Sequence, residues 1–147
     1  MTDFERFVAD ARPRLWRAFL GSRGVHGAEE ALAEAFTWAW ENRERLLKMD
    51  NPVGYLYRVG LTRSTPRKTP ELPAPLDVGL PEIEPGLIPA LLALSDKQRG
   101  AVWLVHACGW TYSDVALALE IGESTVGTHL TRGLAALRLA MEVSPHA

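Results

Sequence analysis

Seven of the chain's ten prolines fall between residues 66 and 89: Pro66, Pro70, Pro73, Pro75, Pro81, Pro85 and Pro89. Each removes a backbone donor and turns the residue before it away from helix. Residues 65–85 are therefore expected to form a Pro-rich, extended and semi-stiff linker. The linker divides the 147 residues into two modules, 1–64 and 86–147. Modules of that size bury a modest share of their surface, so each must be compact. With 47% apolar residues, 23% charged residues and a net charge of −2, wholesale disorder is excluded. The single cysteine, Cys108, excludes an intrachain disulfide and a cysteine-rich zinc site. The start, MTDFERFVADARPRLWR, is too charged for a signal peptide, and no apolar run reaches membrane-spanning length. The expectation is a soluble, cytoplasmic protein without membrane insertion.

Strand signals are weak and helical periodicity is strong, which predicts an all-α fold. Phe4, Phe7, Val8, Ala11, Leu15, Ala18 and Phe19 share one helical face, with Pro13 expected to kink that helix without ending it. Residues 21–27 read as a loop. A second helix is expected over 27–47, with Ala28, Leu32, Ala35, Phe36, Ala39, Trp40 and Leu47 on its apolar face. Asn51-Pro52 then opens a third helix in the favoured N-cap and first-position arrangement. In the second module a short helix, 86–94, precedes Ser95-Asp96-Lys97-Gln98, which has the spacing of a capping box and starts a helix over 96–108. Gly109 stops it. Thr111 caps a short helix, 112–119, and a turn at 120–123 leads into a final helix reaching about Val143.

The stretch GWTYSDVALALEIGESTVGTHLTRGLAALR, residues 109–138, has the anatomy of a helix-turn-helix. Val115, Ala116 and Leu119 pack the first helix inward, Ile121 plugs the turn, and Val126 and Leu130 anchor the second helix. Thr125, Thr128, His129 and Arg132 are left facing outward, where small polar groups permit close approach to a major groove. A plain helical hairpin satisfies the same spacing.

The stretch 109–138 resembles region 4 of bacterial sigma factors in its Gly109-Trp110-Thr111-Tyr112-Ser113-Asp114-Val115-Ala116 run, with Leu94-Ser95-Asp96-Lys97-Gln98-Arg99 opening the region. A LuxR-type regulator domain shares a similar helix-turn-helix. In the first module Ala28-Glu29-Glu30-Ala31-Leu32-Ala33-Glu34-Ala35-Phe36, then Trp40, resembles the sigma region 2 helix that docks on the polymerase clamp. Asn51-Pro52-Val53-Gly54-Tyr55-Leu56-Tyr57-Arg58-Val59 resembles the following part of region 2, which faces the −10 element in the family. The order of the two modules is similar to the small ECF (extracytoplasmic-function) group. That resemblance implies core RNA polymerase, promoter DNA and an anti-sigma protein as partners. It also implies that the helix-turn-helix contacts the −35 element.

Glu30, Glu34 and Glu41 lie on a stripe opposite Leu32 and Phe36, flanked by Trp38. By composition this is an ordinary solvated acidic face. The resemblance makes Glu30, Glu34, Trp38 and Glu41 the expected polymerase-binding residues. Tyr55, Arg58 and Arg63 combine aromatic and cationic groups in the manner of single-strand DNA binders, and a Tyr-Arg surface pair without a ligand fits them equally. Pro66 cuts the third helix short of the family's polar stretch, so the end of region 2 is degenerate. Ala33 stands where the docking helix often has glutamine, and Gly127 and His129 where basic residues are common.

Residues 95–147 hold four cations against five carboxylates, a net of −1, which predicts weak unaided DNA binding. His26, His106 and His146 show no ligand spacing, and no nucleophile-base pair or phosphate loop stands out. Neither metal, cofactor nor catalysis is expected. The alternative reading is a sigma-derived adaptor that binds polymerase or DNA without melting a promoter.

Overall fold

The computed structural model describes residues 1–65 and 86–143. The expected linker lies almost entirely outside the described residues. The chain divides into two compact units, Met1–Glu71 and Leu72–Ala147. All regular structure among the described residues is helical, with no strand.

The first unit begins with α1, Asp3–Glu41, 39 residues long. Thr2 caps it in a reciprocal capping box: its hydroxyl accepts from the Glu5 N–H at 3.1 Å, and the Glu5 carboxylate accepts from the Thr2 N–H at 3.2 Å. The helix passes through Pro13 and breaks instead at Gly24, whose φ of 73° and ψ of −177° are essentially restricted to glycine. The expected loop over 21–27 is thus contracted to one residue, and two helical arms meet there. Arg23 fastens the joint. Its guanidinium donates to the Leu61 carbonyl at 2.7 Å and to the Ser64 hydroxyl at 3.3 Å, placing a cation at the carboxyl end of the third helix.

The expected helix over 27–47 ends early. Asn42 leaves helical geometry (φ −122°, ψ 28°), with both its backbone N–H and its side-chain amide donating to the Trp38 carbonyl, at 3.0 and 2.9 Å. A separate short helix, α2, covers Arg43–Leu47. The third helix, α3, covers Pro52–Arg63, with the Asn51 side chain accepting from the Gly54 N–H at 3.0 Å as the Asn-Pro signature predicts.

The second arm of α1 also presents a different face from the one its large residues suggest. Ala28, Ala31, Ala35 and Ala39 are fully buried and form a seam of small side chains at helical spacing. Trp38 is 8% exposed, whereas Trp40 is 56% exposed and Leu47 is exposed in place of buried Leu46. The alanine seam lets α3 approach closely, bringing Val53, Leu56, Tyr57 and Gly60 into the core. Phe19 stacks on Tyr57 with ring centroids 5.1 Å apart and an interplanar angle of 13°.

In the second unit, α4 (Leu87–Leu92) leads to α5 (Asp96–Val102), capped by the Ser95/Gln98 box read from the sequence. The helix continues to Ala107, as expected, but its last turn widens to π geometry over Trp103–Ala107, with the Cys108 N–H donating to the Trp103 carbonyl at 3.1 Å. The chain reverses at Gly109. Thr111 caps α6 (Tyr112–Leu119) through the Asp114 N–H at 3.1 Å. The turn between α6 and α7 (Glu123–Val143) is a Schellman closure, with the Ile121 N–H donating to the Ala116 carbonyl at 3.0 Å.

Glu120 occupies the left-handed position of that closure, at φ 59° and ψ 45°. An L-residue there costs about 1–2 kcal/mol, partly offset by the chain entropy that glycine loses on folding, roughly 0.5–1 kcal/mol. Glu120→Gly is therefore expected to stabilise the second unit by about 0.5–1 kcal/mol. A thermal melt should show this as a Tm rise of roughly 2–8 °C; a fall in Tm would show that the contacts of Glu120 outweigh its backbone strain.

Candidate nucleic-acid and protein interfaces

The helix-turn-helix is held by contacts reaching across the second unit. Val126 and Leu130 are buried and fix the rotation of α7. Lys97, on α5, extends its ammonium to the Leu119 carbonyl at 2.7 Å and so closes the carboxyl end of α6. Arg99 is buried, bonded to Asp96 at 2.9 Å and to the Leu94 carbonyl at 3.4 Å. Two of the four cations in this unit are thereby tied into its framework.

Thr125, Thr128 and Arg132 lie exposed on α7, as the sequence suggests. His129 is only half exposed, and its Nδ1 is buried with no hydrogen-bond partner, so at most its other ring edge is free to meet a ligand. The Thr128 hydroxyl donates to the Ser124 carbonyl at 3.2 Å. Tyr112, exposed at the start of α6, lies over Gly127, its Cε2 standing 3.7 Å from where a Cβ would be. No signal in a single sequence pairs those two residues.

Of the four residues expected to meet polymerase, Glu30, Glu34 and Glu41 lie along one stripe of α1 and none of the three is buried, whereas Trp38 is withdrawn. Trp38 is buried, its ring 5.1 Å from that of Tyr55. The Glu30 carboxylate accepts from both the backbone N–H and the hydroxyl of Thr65, at 2.9 and 3.1 Å, and so serves the end of α3. Glu34 is half buried, and Glu41 is exposed.

An accessible apolar groove of about 620 Å³ is lined by Trp16, Leu32, Phe36 and Trp40, with Arg12, Glu29 and the expected Glu41 contributing charge. Arg12 lies over the Phe36 ring at 5.0 Å, and Arg43 over the Trp40 ring at 4.1 Å. Phe4 meets the Trp40 ring at 5.6 Å. Leu32, Phe36 and Trp40 were expected in the core. The signal that relocates them is the alanine repeat at 28, 31, 35 and 39, which makes a closer helix seam than the large residues would.

Tyr55 and Arg58 are brought together, the guanidinium 5.8 Å from the ring centroid, and Arg45 approaches the Trp38 ring at 5.9 Å. The result is an aromatic and guanidinium cluster spanning α1, α2 and α3. Arg63 is exposed in the last turn of α3, apart from that cluster in helical phase. The third helix stops where Pro66 predicts, and Arg23 and Glu30 engage its end.

Residues 87–137 match the family described as Sigma-70, region 4. The structure is similar to the sigma factor RpoE from Bartonella quintana, solved in complex with the anti-sigma factor NepR, with a TM-score of 0.76 and 18% identity over 99% of this chain and 100% of that one. It is also similar to CnrH, solved in complex with the cytosolic domain of CnrY, with a TM-score of 0.69 and 19% identity over 97% of this chain and 89% of that one. At such identities the likeness is one of fold. No curated protein matches the chain in sequence.

Proposed function

We propose that this protein is an ECF-type sigma factor, a reading supported by its match to Sigma-70 region 4 over residues 87–137 and by its fold, and that it binds core RNA polymerase with its first unit and places α7 of its second unit in the −35 major groove. The observation that carries the reading is the groove on α1. Leu32, Phe36 and Trp40 recur at helical spacing on the helix that resembles the clamp-docking helix, yet they line open space. Clustered apolar side chains left in water mark a binding surface. Glu29 and Glu41 beside them suit an amphipathic partner helix carrying basic residues. In this reading Trp40 takes the anchoring role that Trp38, being buried, is not placed to play. Glu34 and Glu41 remain as peripheral acidic contacts, and Glu30 positions the exit from α3.

On the DNA side, Thr125, Thr128 and Arg132 approach base edges, with His129 contributing at most one ring edge. Tyr55, Arg58 and Arg63 are the groups that would meet single-stranded DNA near the −10 element. With Lys97 and Arg99 engaged, Arg132 and Arg138 are the cations left to meet phosphate among the described residues of the second unit. At most two neutralised phosphates, and one where Arg132 reads a base, give a slope of log K against log [salt] no steeper than about −1.8. A salt titration of the second unit, residues 86–147, on duplex DNA should return that shallow slope. A slope steeper than about −4 would mean that phosphate contacts dominate, and would refute weak unaided binding.

An anti-sigma protein is part of the proposal, since both solved neighbours are complexes with a protein partner. A second reading, an adaptor that binds polymerase and DNA without opening the promoter, is favoured by the early end of α3 and its engagement by Arg23 and Glu30. Run-off transcription with purified core polymerase on fragments of the source genome separates the two. Discrete transcripts that depend on this chain support the sigma factor. Stable polymerase complexes without transcripts support the adaptor, and absence of any polymerase complex overturns both.

A further inference from the structure

We propose that Thr128 is a specificity-determining residue that reads the methyl group of a thymine, an inference that rests on the DNA-binding role of α7 given above. The Thr128 hydroxyl donates to the Ser124 carbonyl at 3.2 Å, one turn back on its own helix. That bond fixes the side-chain rotamer and spends the hydroxyl's single proton, so this exposed residue offers an oriented methyl and no free donor. Buried Val126 and Leu130 on either side hold the helix against rotation and keep position 128 outward.

The surroundings point the same way. Gly127 adds no bulk beside it, and the half-buried His129 has its Nδ1 turned away from solvent. Thr125 and Arg132 complete an exposed face carrying one guanidinium and no amide. Such a face is equipped for at most one bidentate hydrogen-bonded contact, through Arg132. Thr125 keeps a hydroxyl for a polar contact, whereas Thr128 has no proton left to give, so the contact it favours is apolar, and the thymine C5-methyl is the apolar group that the major groove displays. The recognition block is accordingly expected to contain a thymine opposite Thr128.

The test uses the full chain bound to core polymerase and a duplex library whose upstream promoter block is randomised. The enriched duplex is resynthesised with each thymine of the block replaced in turn by deoxyuracil, which removes only the methyl, and is assayed with wild type and with Thr128→Ser. Serine retains the hydroxyl and its bond to Ser124 while deleting the methyl, at an exposed position where folding is spared.

The expected result is one thymine whose replacement weakens wild-type binding about fourfold, the value of one buried methyl-sized group. Thr128→Ser should bind the unmodified duplex about as weakly and be indifferent to deoxyuracil at that site. Equal sensitivity in both proteins, no sensitive thymine, or an enriched block without thymine overturns the assignment and leaves the sigma reading intact. Failure to enrich any block removes the sigma reading, and this inference with it.

Discussion

Gly60→Ala is expected to lower the melting temperature of the first unit by roughly 8–16 °C, although alanine is the better helix former. A Cβ at position 60 would overlap Cζ of Phe19 and stand 2.8 Å from the Ala31 carbonyl oxygen. Neither can yield easily: Phe19 is held in its stack on Tyr57, and the carbonyl belongs to the backbone of α1. Overpacking of this kind costs about 3 kcal/mol, and the gain in helix propensity returns about 1 kcal/mol. The net loss of about 2 kcal/mol, at 4–8 °C per kcal/mol for a unit of this size, gives the expected shift. Gly127→Ala is the control, because its Cβ would meet only Tyr112, at an ordinary 3.7 Å. A thermal melt in which both variants match wild type would show that α1 and α3 are not packed through Gly60.

The largest expected effect on function is that of Phe36→Ala combined with Trp40→Ala. Aromatic anchors at protein interfaces commonly contribute more than 2 kcal/mol each. Such effects are not additive, so the pair is expected to weaken polymerase binding by about 100-fold, which corresponds to about 3 kcal/mol. Both side chains line the groove and neither is buried, so the melting temperature should move little. Trp38→Ala should behave in the opposite way. Its side chain is buried against Tyr55, and truncation leaves a cavity costing about 3–5 kcal/mol. Affinity measured by biolayer interferometry on immobilised core polymerase, alongside a melt of each variant, separates surface from core. A folded double variant with wild-type affinity would remove the groove from the interface.

Features governed by local chemistry could be read directly from the sequence. Asn51-Pro52, Ser95 with Gln98, and Thr111 all cap helices where their residue types predict, because a side-chain oxygen and an amide three residues on meet whatever the rest of the fold does. The helix-turn-helix was legible for the same reason, down to Ile121 in the turn.

Rotation of the second arm of α1 was not. The predicted face already held Ala28, Ala35 and Ala39, but hydrophobic periodicity centres it on Leu32, Phe36 and Trp40, whereas closeness to α3 is set by what is small, at Ala28, Ala31, Ala35 and Ala39. The two stripes lie on neighbouring faces, and only the partner helix decides between them. The same ambiguity moved Trp38 inward and Trp40 outward. Glu30 and Arg23 act on Thr65, Ser64 and Leu61, residues 35 to 41 positions away, at a range where spacing carries no information. The inward turn of His129 likewise depends on packing against the rest of the second unit.

The account holds that the first unit binds polymerase and that the second grips DNA only weakly by itself. Both affinities can be measured with one labelled preparation of the full chain, titrated in parallel with core polymerase and with naked duplex at physiological salt. The account predicts saturable binding to polymerase at least about 100-fold tighter than to duplex, whose Kd should fall in the non-specific range of about 10⁻⁴–10⁻⁶ M. Tight binding to naked duplex with no measurable affinity for polymerase would contradict it.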